Sequence, residues 1–94
     1  MSGVVTWVSG RVDAERQVDV VTQFSSAVED GPPPEIERTM LLRDGDELSI
    51  VTTWRSRADL EATMTSPEEP LARRLIREAG GTPSIRVFEV VVTG

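Results

Sequence analysis

The side chains able to do chemistry in this 94-residue chain are few in kind: carboxylates, arginine, serine and threonine hydroxyls, glutamine and indole. There is no His, Cys, Lys, Tyr or Asn, and all ten basic residues are Arg. Imidazole bases, lysine Schiff bases, thiol nucleophiles, tyrosyl acids and His- or Cys-ligated metals are therefore outside its repertoire. The acids suggest no catalytic pair. Glu35 and Glu37 share a strand face with no identifiable partner, and Glu68-Glu69 reads as negative charge complementing a helix N-terminus. The most distinctive group is Trp54. Leu48, Ile50, Thr52 and Trp54 alternate with Ser49, Val51, Thr53 and Arg55, the two-residue period of a pleated strand rich in β-branched residues. Ser56 then stands where a helix N-cap belongs, with Asp59 three residues on in capping-box position. A strand thus hands its Trp directly to a helix start.

The elements that must position this Trp follow from the rest of the pattern. Val4 to Ser9 reads as a strand, with Val4, Thr6 and Val8 on one face and Val5, Trp7 and Ser9 on the other. From Asp13, a plausible N-cap, the positions Ala14, Val18, Val21, Ser25 and Val28 recur at helical spacing, widened by Phe24 and Ala27. Gly31 and Pro32-Pro33-Pro34 end that helix near Asp30. Glu35 to Arg43 alternates as an edge strand, and Asp44-Gly45-Asp46 turns the chain back into the Leu48 to Arg55 strand as an antiparallel hairpin. A short helix starts at Arg57. Ser66-Pro67-Glu68-Glu69 announces a second helical piece running to Ala79, with Leu71, Leu75, Ile76 and Ala79 as its apolar stripe and Pro70 interrupting its first turn. Ile85 to Thr93 is the last strand, apolar on both faces apart from Arg86 and Glu89, and so expected to be covered on both.

This order, with right-handed crossovers, gives a ferredoxin-like βαββαβ α+β fold: one antiparallel four-stranded sheet with both helical segments on one side. A single domain over 1–94 is expected from the length. If Trp54 lies under the helices, the other face carries Val5, Trp7, Leu41 and Val51, too much apolar area to leave in water. A second copy packing sheet on sheet would cover it, with Trp7 as anchor and Val5 and Val51 beside it, so a homodimer is expected.

Charge and composition narrow the partners. A formal net charge of −6 opposes phosphate backbones, so nucleic acid is not an expected ligand. No apolar run approaches the ~20 residues needed to span a bilayer, and Met1 to Val5 lacks the plan of a signal peptide, so the protein is expected in the cytoplasm and away from membranes.

The run Val51-Thr52-Thr53-Trp54-Arg55-Ser56-Arg57-Ala58-Asp59-Leu60-Glu61-Ala62, the following Ser66-Pro67 and helix, and Gly81-Thr82-Pro83 before an aliphatic strand resemble the antibiotic biosynthesis monooxygenase family of the dimeric α+β barrel superfamily. The resemblance spans the chain. It implies a pocket between sheet and helices in which a small aromatic or quinone-like compound is oxidised by dioxygen without metal or flavin, or in which haem is bound and degraded. It places Trp54 on the family's pocket Trp and an Arg, with Arg86 the candidate, in the pocket; Trp54 would stack on or hydrogen-bond to the substrate while Arg86 or a backbone N–H stabilises its anion. Thr6 or Val8 falls on the family's first-strand Asn position, and Thr63 where haem-degrading members carry His, so haem is disfavoured and no cofactor is expected. Phe24, Leu60, Thr63, Met64 and Leu75 would line the pocket or, read without the resemblance, form the ordinary helix-to-sheet core. Trp54 likewise reads as ligand platform or as core filler. A non-catalytic dimeric module binding an apolar small molecule is the alternative function, and a carboxylate-base isomerase a third.

Overall fold

The computed structural model describes residues 3–94; Met1 and Ser2 lie outside the described residues. The chain runs β1 (Val4–Arg11), α1 (Ala14–Asp30), β2 (Ile36–Asp44), β3 (Glu47–Trp54), α2 (Arg57–Met64), α3 (Leu71–Glu78) and β4 (Ser84–Glu89). The four strands form one sheet in the order β2-β3-β1-β4, every neighbouring pair antiparallel. This is the ferredoxin-like α+β topology expected from the sequence. Among the described residues no helix is long and apolar enough to cross a membrane.

The alternation read from Leu48 to Trp54 holds. Leu48, Ile50, Thr52 and Trp54 are all buried on one side of β3, and their register partners on β1, namely Gly10, Val8, Thr6 and Val4, share that side. The register divides the interior into two apolar clusters. At one end Val8, Val12, Val20, Leu48, Ile50, Leu75, Ile76 and Ala79 pack together under α1 and α3, with Phe24, Leu41, Ala72 and Ile85 against them. At the other, Val4, Trp54 and Leu60 pack with Ile36. Between them Thr6, Thr52 and Thr39 form one row across β1, β3 and β2.

The larger cluster is closed by a close backbone approach. A Cβ on Gly10 would stand 2.6 Å from Ile76 Cγ2, and one on Gly81 would stand 2.8 Å from the Arg11 carbonyl. Only glycine at these two positions lets the chain leaving α3 pass tightly over the end of β1.

Four expectations are corrected. The buried face of α1 is Gln17 and Val20 with Phe24 and Ala27 partly buried, whereas Val18, Val21 and Val28 are exposed. The Gln17 amide decides this: its Nε2 donates to the carbonyls of Val12 and Gly45, both at 3.0 Å, so a polar side chain holds the inward position. Leu41 pairs with Ile50 on the helix side, and it is Met40 and Leu42 that share the open face. The second helical piece begins only at Leu71; Ser66 Oγ accepts from the Glu68 N–H in a local turn, and Pro70 takes the cap position. Finally, β4 stops at Glu89, the register partner of Val4 with which β1 begins, and the Val90 N–H donates to the Gly3 carbonyl. Val91 and Val92 are 83% and 86% exposed, and β4 itself is largely uncovered on both faces.

Candidate active site

A cleft of about 780 Å³ opens between the helix side of the sheet, the C-terminal end of α1, α2 and the α2–α3 connection. Its floor is set by the strand register: Thr6, Thr52 and Thr39 across the middle, Val8 and Ile50 toward the larger cluster, Trp54 at the other end. Phe24 and Val28 of α1 and Leu60, Thr63 and Met64 of α2 supply apolar wall. Pro32, Pro33, Glu35 and Ile36, on the chain entering β2, close one end.

Trp54 is only 7% exposed, and its indole N–H donates to Thr6 Oγ1 at 3.0 Å. The indole donor is thus committed within the protein, and Trp54 offers a ligand its ring rather than its N–H. Thr6, having accepted that bond, keeps its own hydroxyl hydrogen as a donor. Thr39 and Thr52 share a second hydroxyl pair at 3.0 Å, so the row is a short polar strip in an otherwise apolar floor. Ile36 reaches the Trp54 end through a register shift in β2: it pairs with Trp54, Arg38 pairs with Thr53, and Glu37 is the extra residue between them.

Where β3 passes into α2 the capping geometry expected from Ser56 and Asp59 is present. The Asp59 N–H donates to Ser56 Oγ at 3.1 Å, Ser56 Oγ donates to Asp59 Oδ2 at 3.0 Å, and Arg55 Nε donates to the same carboxylate at 3.0 Å. These hydrogen bonds, that from Arg55 first, hold the Asp59 carboxyl below the ordinary Asp range. The Arg55 guanidinium is raised in turn by its bond to Asp59, with the charges of Glu35 and Glu37 adding to the effect. On the opposite wall Arg77 grips Glu69 through Nε and Nη2, lowering the Glu69 carboxyl and fastening the α2–α3 connection to α3.

The structure gathers most of the residues singled out in the sequence and separates two. Trp54, Thr6, Phe24, Leu60, Thr63 and Met64 all line the cleft. Leu75 does not: it is a fully buried member of the larger cluster, on the turn of α3 that faces β1. Arg86 is not brought to Trp54. It pairs with Trp7 in the β1–β4 register, so it stands on the opposite face of the sheet, where its guanidinium lies 4.8 Å over the Phe88 ring. Val5, Trp7 and Val51 lie on that open face with Met40, Leu42 and Phe88; Trp7 is 39% exposed, whereas Val51 is already covered within the chain. Thr52, Thr39 and Ile36 were not singled out from the sequence, because their place depends on which residues face each other across strands. Thr63 donates its hydroxyl to the Asp59 carbonyl at 3.1 Å.

No family model matches the chain, and no curated protein matches it either. Solved structures do. SnoaB, a cofactor-independent oxygenase from Streptomyces nogalater, aligns with a TM-score of 0.70 at 14% identity over 99% of this chain and 97% of that one. MhuD, a haem-degrader from Mycobacterium tuberculosis with two haems bound in its active site, aligns with a TM-score of 0.70 at 22% identity over 97% and 98%. NE2512, a protein of unknown function from Nitrosomonas europaea, gives 0.75 at 14% over 100% and 94%. At these identities the likeness is one of fold. The chain therefore shares the ferredoxin-like α+β fold of these proteins, the fold that the resemblance of the Trp54 run to the antibiotic biosynthesis monooxygenase family implies.

Proposed function

We propose that the cleft binds a planar aromatic or quinone-like molecule and that the protein oxidises it with dioxygen without a bound metal or flavin, as a homodimer joined through the open face of its sheet. The observation that carries the reading is the cleft itself: concave, of ligand size, walled by apolar side chains, with an indole at one end and a row of hydroxyls across its floor. The fold shared with SnoaB supports the chemistry. Such an oxidation asks the protein to desolvate an electron-rich enolate or phenolate and to stabilise its charge. Thr6 fits the second task. Accepting from the Trp54 N–H polarises its hydroxyl, and the hydrogen it retains is available to a ligand oxygen. With Arg86 on the other face, the hydroxyl row takes the place that the resemblance assigned to an arginine.

Haem does not fit this donor set. The chain has no His, Cys or Tyr to serve as axial ligand, and Met64 is, among the described residues, the single soft donor on the cleft walls. The second reading, a dimeric module that binds such a molecule without turning it over, is favoured by the lack, among the described residues, of a guanidinium at the floor. Oxygen-electrode measurements with anthrone and a panel of hydroquinones, and a haem titration as control, separate the two. Oxygen uptake above the buffer rate with at least one substrate is expected. Tight binding with no uptake would leave the binding module as the function.

A further inference from the structure

Glu35 stands one residue before β2 and lines the cleft at the end that carries Trp54. Its carbonyl accepts from the Arg55 N–H at 2.8 Å, which ties its backbone to the residue after Trp54. The side chain is in a different condition. Its carboxylate Oε2 is closed off from solvent and is, among the described residues, the one buried side-chain polar atom with no hydrogen-bond partner. Folds satisfy buried acceptors almost without exception, because an unpaired one has lost water and gained nothing. Because Glu35 lines the cleft, a hydroxyl entering it is the partner that this carboxylate lacks within the chain. The terminal torsion of a Glu is broad and two-fold, so a rotation about one bond presents either oxygen to that space.

The other acids along the walls are not in this position. Asp59 is engaged by Arg55 and Ser56, Glu69 by Arg77, and Asp30 and Glu68 are exposed to water. Arg55 lies close enough to feel the charge of Glu35, yet its hydrogen bonds go to Asp59. Arg73 faces Glu69 at 3.9 Å. With no His, Lys, Tyr or Cys in the chain, carboxylates are the side-chain bases available, and Glu35 is the one on these walls with a buried oxygen that has no partner.

We propose that Glu35 is the proton acceptor of the cleft, taking first the hydrogen bond and then the proton of a hydroxyl on a planar aromatic ligand. This rests on the reading of the cleft as an aromatic-ligand site. In the step the ligand O–H bond breaks, an O–H bond forms on the Glu35 carboxylate, and the electron pair stays on the ligand oxygen. The resulting phenolate or enolate is the species that dioxygen, the oxidant, then attacks. The substrate class narrows accordingly to hydroxylated or enolisable polycyclic aromatics whose hydroxyl lies toward the entry to β2 while the rings lie over the threonine row.

The test compares wild type with Glu35→Leu and Glu35→Gln. By isothermal titration, wild type is expected to bind 2-hydroxyanthraquinone at least tenfold more tightly than 9,10-anthraquinone. Glu35→Leu is expected to bring the two within twofold while anthraquinone affinity is unchanged. With 1,4-dihydroxynaphthalene, which carries the O–H bond that the step breaks, Glu35→Gln is expected to lower the rate of oxygen uptake by about 10²-fold or more, the scale of a positioned base, with an unaltered thermal midpoint. Equal discrimination by wild type and Glu35→Leu, or turnover of 1,4-dihydroxynaphthalene by Glu35→Gln at the wild-type rate, would overturn the assignment. Failure to bind either quinone would sink the cleft reading itself. Binding of both without preference for the hydroxyl would sink Glu35 alone, and the binding comparison decides Glu35 even if wild type consumes no oxygen.

Discussion

At the scale of single residues, the Trp54–Thr6 bond is where packing and chemistry meet. A buried indole needs an acceptor for its N–H, and Thr6 supplies it from the neighbouring strand at 3.0 Å. Thr6→Val keeps the shape and removes the acceptor, so it is expected to destabilise the fold by about 1–3 kcal/mol, the cost of an unsatisfied buried donor. Thr6→Ser should recover most of the loss, and urea denaturation checks both. Asp59 gives a pH-dependent counterpart. Its folded carboxyl is depressed by Arg55 and Ser56, so the stability it contributes is full above the unfolded Asp value near ~3.9 and is lost as pH falls through the lower folded value. The thermal midpoint of wild type should exceed that of Asp59→Asn at pH 7 and pH 5, and the gap should close as the pH is taken below about 4.

At the scale of elements, much was legible because period and punctuation are local. Every strand and helix was expected from alternation, helical spacing, capping residues and Gly or Pro stops, and the Leu48–Trp54 face, which sets the Trp54 end of the cleft, followed from a period of two. What was not legible depends on partners. The inward face of α1 turns on Gln17, whose amide has carbonyls to bond only once the β2–β3 turn is folded against it. β4 ends at the register partner of Val4, the first residue of β1, although Val90-Val91-Val92-Thr93 reads as strand throughout. In β2, strict alternation puts Glu37 on the side of Thr39 and Leu41. The register shift leaves Glu37 as the extra residue, exposed, and brings Ile36 to Trp54, a choice that only the pairing with β3 reveals. The candidate site was half legible for the same reason: Trp54, Thr6 and the α2 residues belong to continuous stretches, whereas the threonine row and the orphaned Glu35 oxygen appear when separate strands are brought together. The alternation of Ile85-Arg86-Val87-Phe88 could not say which side faces the helices, and Arg86 took the far one.

At the scale of the whole molecule, the open sheet face leaves Trp7, Met40, Leu42 and Phe88 each more than a third exposed in the isolated chain. Apolar side chains gathered on one face in this way are the mark of an association surface. Trp7→Arg, placed at the middle of that face opposite Arg86, is expected to convert a dimer to a species of half the mass in sedimentation velocity while leaving the helix-side core intact; a wild-type monomer would remove the dimer from the proposal. The division of the interior into two apolar clusters has a consequence for how anything gets in. Eight buried residues anchor the end under α1 and α3, and three anchor the end at Trp54. Amide protons of α2 should therefore exchange with deuterium long before those of β1 near Val8, and a bulky guest can be admitted by partial fraying of that weaker end while the remainder of the protein stays shut.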